Sequence, residues 1–60
     1  MRRLQIIEAM NFAEKKGYIY VIEYNPRGQY KMHFQQFQMT LEVVKHLEKL
    51  EMPVEDGTLI

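Results

Sequence analysis

The sequence has 60 residues, with eight Lys and Arg, eight Asp and Glu, and no cysteine. A chain of this length forms one domain at most and buries only about 60% of the surface that it exposes when unfolded. The lack of cysteine excludes disulfides and thiolate metal sites, and the balanced charge argues against non-specific binding to nucleic acid, which depends on phosphate neutralisation.

The first predicted element is a helix over residues 3–16. Its apolar residues share one arc of the helical wheel, as expected of a helix that lies on a core: Ile6, Ile7, Ala9, Met10 and Ala13. Gly17 can supply a left-handed cap at its end. Leu4 and Phe12 lie outside the apolar arc. Either Phe12 packs around the edge of the next element, or the two residues form a contact surface for a partner.

A β-hairpin is predicted next, around the turn Asn25-Pro26-Arg27-Gly28. Asn25 can cap the turn, Pro26 presets φ, and Gly28 accepts a positive φ, which suits a type I turn closed by a glycine bulge. This turn predicts the pairs Tyr24 with Tyr30, Glu23 with Lys31, Ile22 with Met32, Val21 with His33 and Tyr20 with Phe34.

The predicted register sorts the side chains between the two faces of the hairpin. One face collects the aromatic and large apolar residues: Tyr18, Tyr20, Ile22, Tyr24, Tyr30, Met32 and Phe34. The other face carries Ile19, Val21, Glu23, Lys31, His33 and Gln35. We expect Glu23 and Lys31 to form a cross-strand ion pair on this second face.

A second helix is predicted to follow Thr40, the best available N-cap, and to end at Pro53. Its apolar arc is wide for a helix that rests on a two-stranded ribbon: Leu41, Val43, Val44, Leu47, Leu50 and Met52. Residues 1–52 are therefore interpreted as one small α+β domain, and residues 53–60 as a tail that either frays or adds to an edge of the hairpin.

The expected fold is α-β-β-α, with both helices packed on one face of a central two-stranded antiparallel hairpin. Such a hairpin leaves strand edges unpaired and a second face uncovered. A core this small also barely offsets the entropy lost on folding. We therefore expect a homodimer to complete the fold, through joined hairpins or through helices that pack across a two-fold axis.

The sequence contains no pattern typical of catalysis, so we do not expect an enzyme. It has no serine or cysteine nucleophile, and its two histidines, His33 and His46, do not belong to a metal-binding motif. The three glycines are spaced like caps and turns rather than like a phosphate-binding loop. No catalytic residue, metal ligand or cofactor is predicted.

Two functions from different classes remain. The first is a small protein-binding or regulatory module that acts as a homodimer or in a complex. The second is a β-ribbon that binds nucleic acid, with Arg2, Arg3, Lys15 and Lys16 on phosphates and exposed tyrosines stacked on bases. The candidate binding residues for the two functions are Leu4, Phe12, Arg27, Lys31, His33 and Gln35. No apolar run is long enough to span a membrane, and no signal-peptide core is present, so we expect a cytoplasmic protein without a membrane partner.

Overall fold

A computed structural model describes residues 2–52 and residue 54. Its elements are the helix α1 (Arg3–Lys16), the strands β1 (Tyr20–Tyr24) and β2 (Tyr30–Phe34), and the helix α2 (Phe37–Lys49). This order confirms the predicted α-β-β-α arrangement. Of the predicted tail, Val54 packs against the core, and its other residues lie outside the described part of the chain.

The predicted bounds and C-terminal cap of α1 are confirmed. Gly17 adopts a left-handed conformation with φ of 76°, and its N–H donates to the carbonyl groups of Ala13 and Glu14. The N–H of Tyr18 also donates to the carbonyl of Ala13, at 2.8 Å. Glycine adopts this conformation without the steric cost of a Cβ atom, so the chain can turn at once from α1 towards β1.

The hairpin has the predicted register, from Tyr24 opposite Tyr30 to Tyr20 opposite Phe34. Its turn also has the predicted chemistry. The side-chain oxygen of Asn25 accepts hydrogen bonds from the N–H groups of Arg27 and Gln29, each at 3.0 Å. Gly28 has φ of 81°, and its N–H donates to the carbonyl of Asn25 at 3.0 Å.

The predicted bounds of α2 are wrong at both ends. The helix begins at Phe37, after an extended Gln36, and Thr40 is a buried residue within the helix rather than its N-cap. No side-chain cap marks this start. The helix ends at Lys49, before Pro53, because Glu51 adopts a left-handed conformation with φ of 59°. The N–H of Met52 then donates back to the carbonyl of Leu47 at 2.8 Å, the bond that closes a Schellman motif.

The core lies between the two helices and the inner face of the hairpin. Its buried apolar residues are Ile6, Ala9, Ala13, Met32, Val43 and Leu47. Ile7 was predicted to join this core but is 44% exposed. The buried positions of α1 follow the line of Ile6, Ala9 and Ala13, and Ile7 lies about 100° around the helix from Ile6.

The two strands are covered unequally. The backbone of β2 lies close to both helices, whereas β1 reaches the core mainly through the side chains of Tyr20 and Ile22. Met32 in β2 has no exposed surface, while no residue of β1 is fully buried. The hairpin is therefore placed with β2 closer than β1 to the helix pair.

Candidate interaction surface

The outer side of the hairpin forms a continuous surface that faces away from both helices. We call it the open face, and it consists of Ile19, Val21, Glu23, Lys31, His33 and Gln35. Alternation along the strands places these residues opposite the inner face, which contains Met32. Ile19 is 66% exposed and Val21 is 61% exposed, so the open face presents two branched apolar side chains to solvent.

The charged residues of the open face are arranged differently from the prediction. Glu23 does not pair with Lys31, the residue directly opposite. Instead, Glu23 Oε1 lies 3.0 Å from His33 Nε2, on the diagonal across the two strands. This nitrogen is buried and has no hydrogen bond, so the contact lacks hydrogen-bond geometry and becomes an ion pair when His33 is protonated. Diagonal neighbours are within reach of long side chains on a sheet, which explains the change of partner.

The tyrosines of the hairpin are mostly engaged in contacts with the helices. The hydroxyl of Tyr18 donates a hydrogen bond to the Glu42 carboxylate on α2. Burial raises the pKa of Tyr20 above its ordinary value, and the charge of Glu14 and a side-chain hydrogen bond to it raise this pKa further. Only Tyr24, at 65% exposure, presents most of its surface to solvent. The tyrosines therefore lie apart from Lys31 and His33, as the register predicted.

The candidate residues on α1 have separate environments. The ring of Phe12 stacks on His46 of α2, with centroids 4.4 Å apart, and meets the ring of Tyr18 edge-on at 6.3 Å. Phe12 thus packs between the helices near the start of the hairpin, rather than around the hairpin edge. Leu4, by contrast, is 71% exposed. The structure does not bring these two residues together in one surface.

Of the six predicted binding residues, three share the open face: Lys31, His33 and Gln35. Arg27 is exposed at the hairpin turn, and Leu4 and Phe12 lie on α1. The site prediction omitted Ile19 and Val21, although the alternation of the strand had already placed both on this face. It also omitted Phe37, which is 73% exposed at the start of α2. Phe37 lies in a stretch where the sequence shows neither helical nor strand periodicity.

Other features of the described residues add no second site. Within residues 2–52 and 54, no three His, Asp or Glu side chains come close enough to hold a metal ion. No helix in that part of the chain is long and apolar enough to cross a membrane. Comparisons with protein-family models, with curated proteins and with solved structures found no match for this chain.

Proposed function

We propose that this chain is a small non-catalytic protein-binding or regulatory module, which acts as a homodimer or in a complex and contacts its partner through the open face. The observation that supports this function is the exposure of Ile19 and Val21, both above 60%, on the outer side of a two-stranded sheet whose inner side packs against the helices. Adjacent exposed apolar side chains often mark protein interfaces. A cytoplasmic location is part of the proposal and depends on the sequence alone.

The charges of the open face also favour a protein partner over nucleic acid. Glu23 lies beside His33, so a carboxylate occupies the part of the face where a phosphate would have to bind. A stacking surface for bases also requires exposed aromatic rings next to basic groups. Three of the four tyrosines are half-buried, and the exposed one, Tyr24, belongs to the other set of alternating side chains.

The proposal is tested by capture of partners from a lysate of the source cells with the tagged full chain, with and without nuclease, and identification by mass spectrometry. The wild-type chain is compared with the double variant Ile19→Thr and Val21→Thr, which keeps β-branched side chains on the strand. Leu4→Gln is the matched control, since it removes an equally exposed apolar side chain from α1. Circular dichroism confirms that each variant folds.

We expect a protein that is retained after nuclease treatment, lost with the double variant, and kept by Leu4→Gln. Retention by the double variant together with loss by Leu4→Gln would move the interface to α1 and contradict the proposal. Retention that requires intact nucleic acid, and that weakens steeply with salt, would support the β-ribbon function instead. In that case Arg27, Lys31 and His33 become the residues to substitute.

A further inference from the structure

Among the described residues, β1 forms one edge of the sheet and is the strand that lies farther from the helix pair. The helices pack mainly against β2, so they crowd the outer edge of β1 less than that of β2. The sheet has only two strands, and no third strand pairs with β1 among residues 2–52 and 54. An unpaired edge of this kind is a template for strand addition.

The direction of the backbone groups along β1 follows from the hairpin turn. The N–H of Asn25 donates to the carbonyl of Gln29 at 2.9 Å. Because bonded and non-bonded pairs alternate in an antiparallel ladder, Glu23 and Val21 also direct their N–H and C=O groups towards β2. Tyr20, Ile22 and Tyr24 therefore direct theirs towards the free edge. No backbone–backbone hydrogen bond joins these outward groups to another described segment.

We propose that the occupant of this edge is a second copy of the chain, whose β1 pairs antiparallel with the first around a two-fold axis at Val21. Tyr20 of each copy then lies opposite Ile22 of the other, and their outward backbone groups form the new ladder. The two hairpins become one four-stranded antiparallel sheet. Such an interface is isologous, since the same strand contributes from both copies.

The position of the axis follows from charge and side-chain type on the open face. With the axis at Val21, the two Val21 side chains are directly opposite, and the two Glu23 side chains are about 13 Å apart along the sheet. An axis at Ile22 brings the two Glu23 side chains to a diagonal separation of about 7–8 Å. An axis at Glu23 sets them directly opposite, where like charges destabilise a sheet. Only the Val21 axis of these three combines apolar contact with separated carboxylates.

This inference rests on the proposed function, because pairing at β1 places the two Val21 side chains side by side at the centre of one larger open face, with each Ile19 next to the Val21 of its own copy. A partner would then contact four adjacent apolar side chains instead of two. The strand is short, and an interface of limited area is expected to be weak. We therefore expect a dimer in the micromolar range.

The first test is sedimentation equilibrium of the full chain at concentrations from micromolar to near-millimolar. We expect a reversible change from the 7.3 kDa monomer to the dimer as concentration rises. Val21→Lys should raise the dimer dissociation constant by at least about tenfold, because it sets two lysines opposite each other and charged side chains on an edge oppose pairing. Val21→Thr is the matched control and should change this constant by less than about threefold. A wild-type chain that stays monomeric throughout would overturn the inference.

The second test maps the axis with single cysteines, which are unique probes because the chain has none of its own. Val21→Cys should form a disulfide dimer under oxidised glutathione, since directly opposite residues in a non-bonded pair have Cα atoms about 4.5 Å apart, within the range of a disulfide. Glu23→Cys and the exposed control Phe37→Cys should cross-link far less. A yield for either variant that equals or exceeds that of Val21→Cys would contradict the Val21 axis.

The two tests separate this inference from the proposed function. A monomer that still captures a protein through Ile19 and Val21 would leave the protein-binding function in place and remove the β1 pairing. A wild-type chain that dimerises as expected but captures no protein in any condition would support the pairing and contradict the function.

Discussion

Truncation of Leu47 should test the core most directly. Leu47 lies on α2, has no exposed surface, and is one of the three largest fully buried side chains, with Met32 and Val43. Two of the other three apolar core residues are alanines, Ala9 and Ala13, so few large side chains stabilise the fold. Leu47→Ala removes buried apolar groups and leaves a cavity, at a cost of about 3–5 kcal/mol in the free energy of unfolding.

This cost is large for a chain of this size. At about 0.05–0.15 kcal/mol per residue, a domain of 60 residues has a total stability of roughly 3–9 kcal/mol. Leu47→Ala should therefore remove a third of the stability or more, and at the lower end of the range it should leave the chain largely unfolded in water. Leu41→Ala is the matched control, on the same helix and with the same change of side chain. Because Leu41 is already 37% exposed, its truncation should cost about 1 kcal/mol.

The assay is urea unfolding followed by far-ultraviolet circular dichroism, at one protein concentration for all variants. We expect similar slopes with denaturant for the wild type and both variants, and a far lower midpoint for Leu47→Ala than for Leu41→Ala. If the free energies of unfolding of the two variants agree within about 1 kcal/mol, the placement of Leu47 in the core is wrong.

Three further predictions concern the C-terminal cap of α1, the pKa of Tyr20 and the contact between His46 and Phe12. Gly17→Ala should lower the free energy of unfolding by about 1 kcal/mol in the same urea assay, because φ at this position is 76°. The cost is conformational, since no neighbouring atom lies within 4 Å of the position that a Cβ atom would occupy. Gly17→Asn should cost less, because asparagine adopts the left-handed conformation more readily than alanine. Glu14→Gln should lower the pKa of Tyr20, measured by ultraviolet absorbance, but not to its ordinary value, because burial is the larger cause of the raised pKa. Since the folded pKa of Tyr20 is raised, its contribution to stability is present below the unfolded pKa of 10.0 and is lost as pH rises through the folded value. His46→Gln should cost about 1 kcal/mol by thermal unfolding, because it removes the stacked contact with Phe12, and an unchanged midpoint would contradict that contact.

The sequence by itself determined the elements whose signals are local. The bounds of α1 follow from its apolar spacing and from Gly17, because glycine readily adopts the left-handed conformation that ends a helix. The hairpin register follows from Asn25 and Gly28, because the turn type and the alternation of the strands both require the same pairing. By contrast, the start of α2 was missed because Gln36 provides no capping side chain, and a helix that begins without a cap leaves no local signal.

The tertiary structure alone decided how these elements share a small core. Periodicity placed Ile7 on the apolar arc of α1, but the narrow contact line of Ile6, Ala9 and Ala13 leaves it partly in solvent. Alternation placed Val21 on the outer face, but only the tertiary structure shows that the helices pack mainly against β2 and less against β1. Periodicity shows which side chains point in the same direction, whereas the burial of those side chains depends on which neighbouring element packs over them. That is why the open face could be derived from the sequence and its availability to a partner could not.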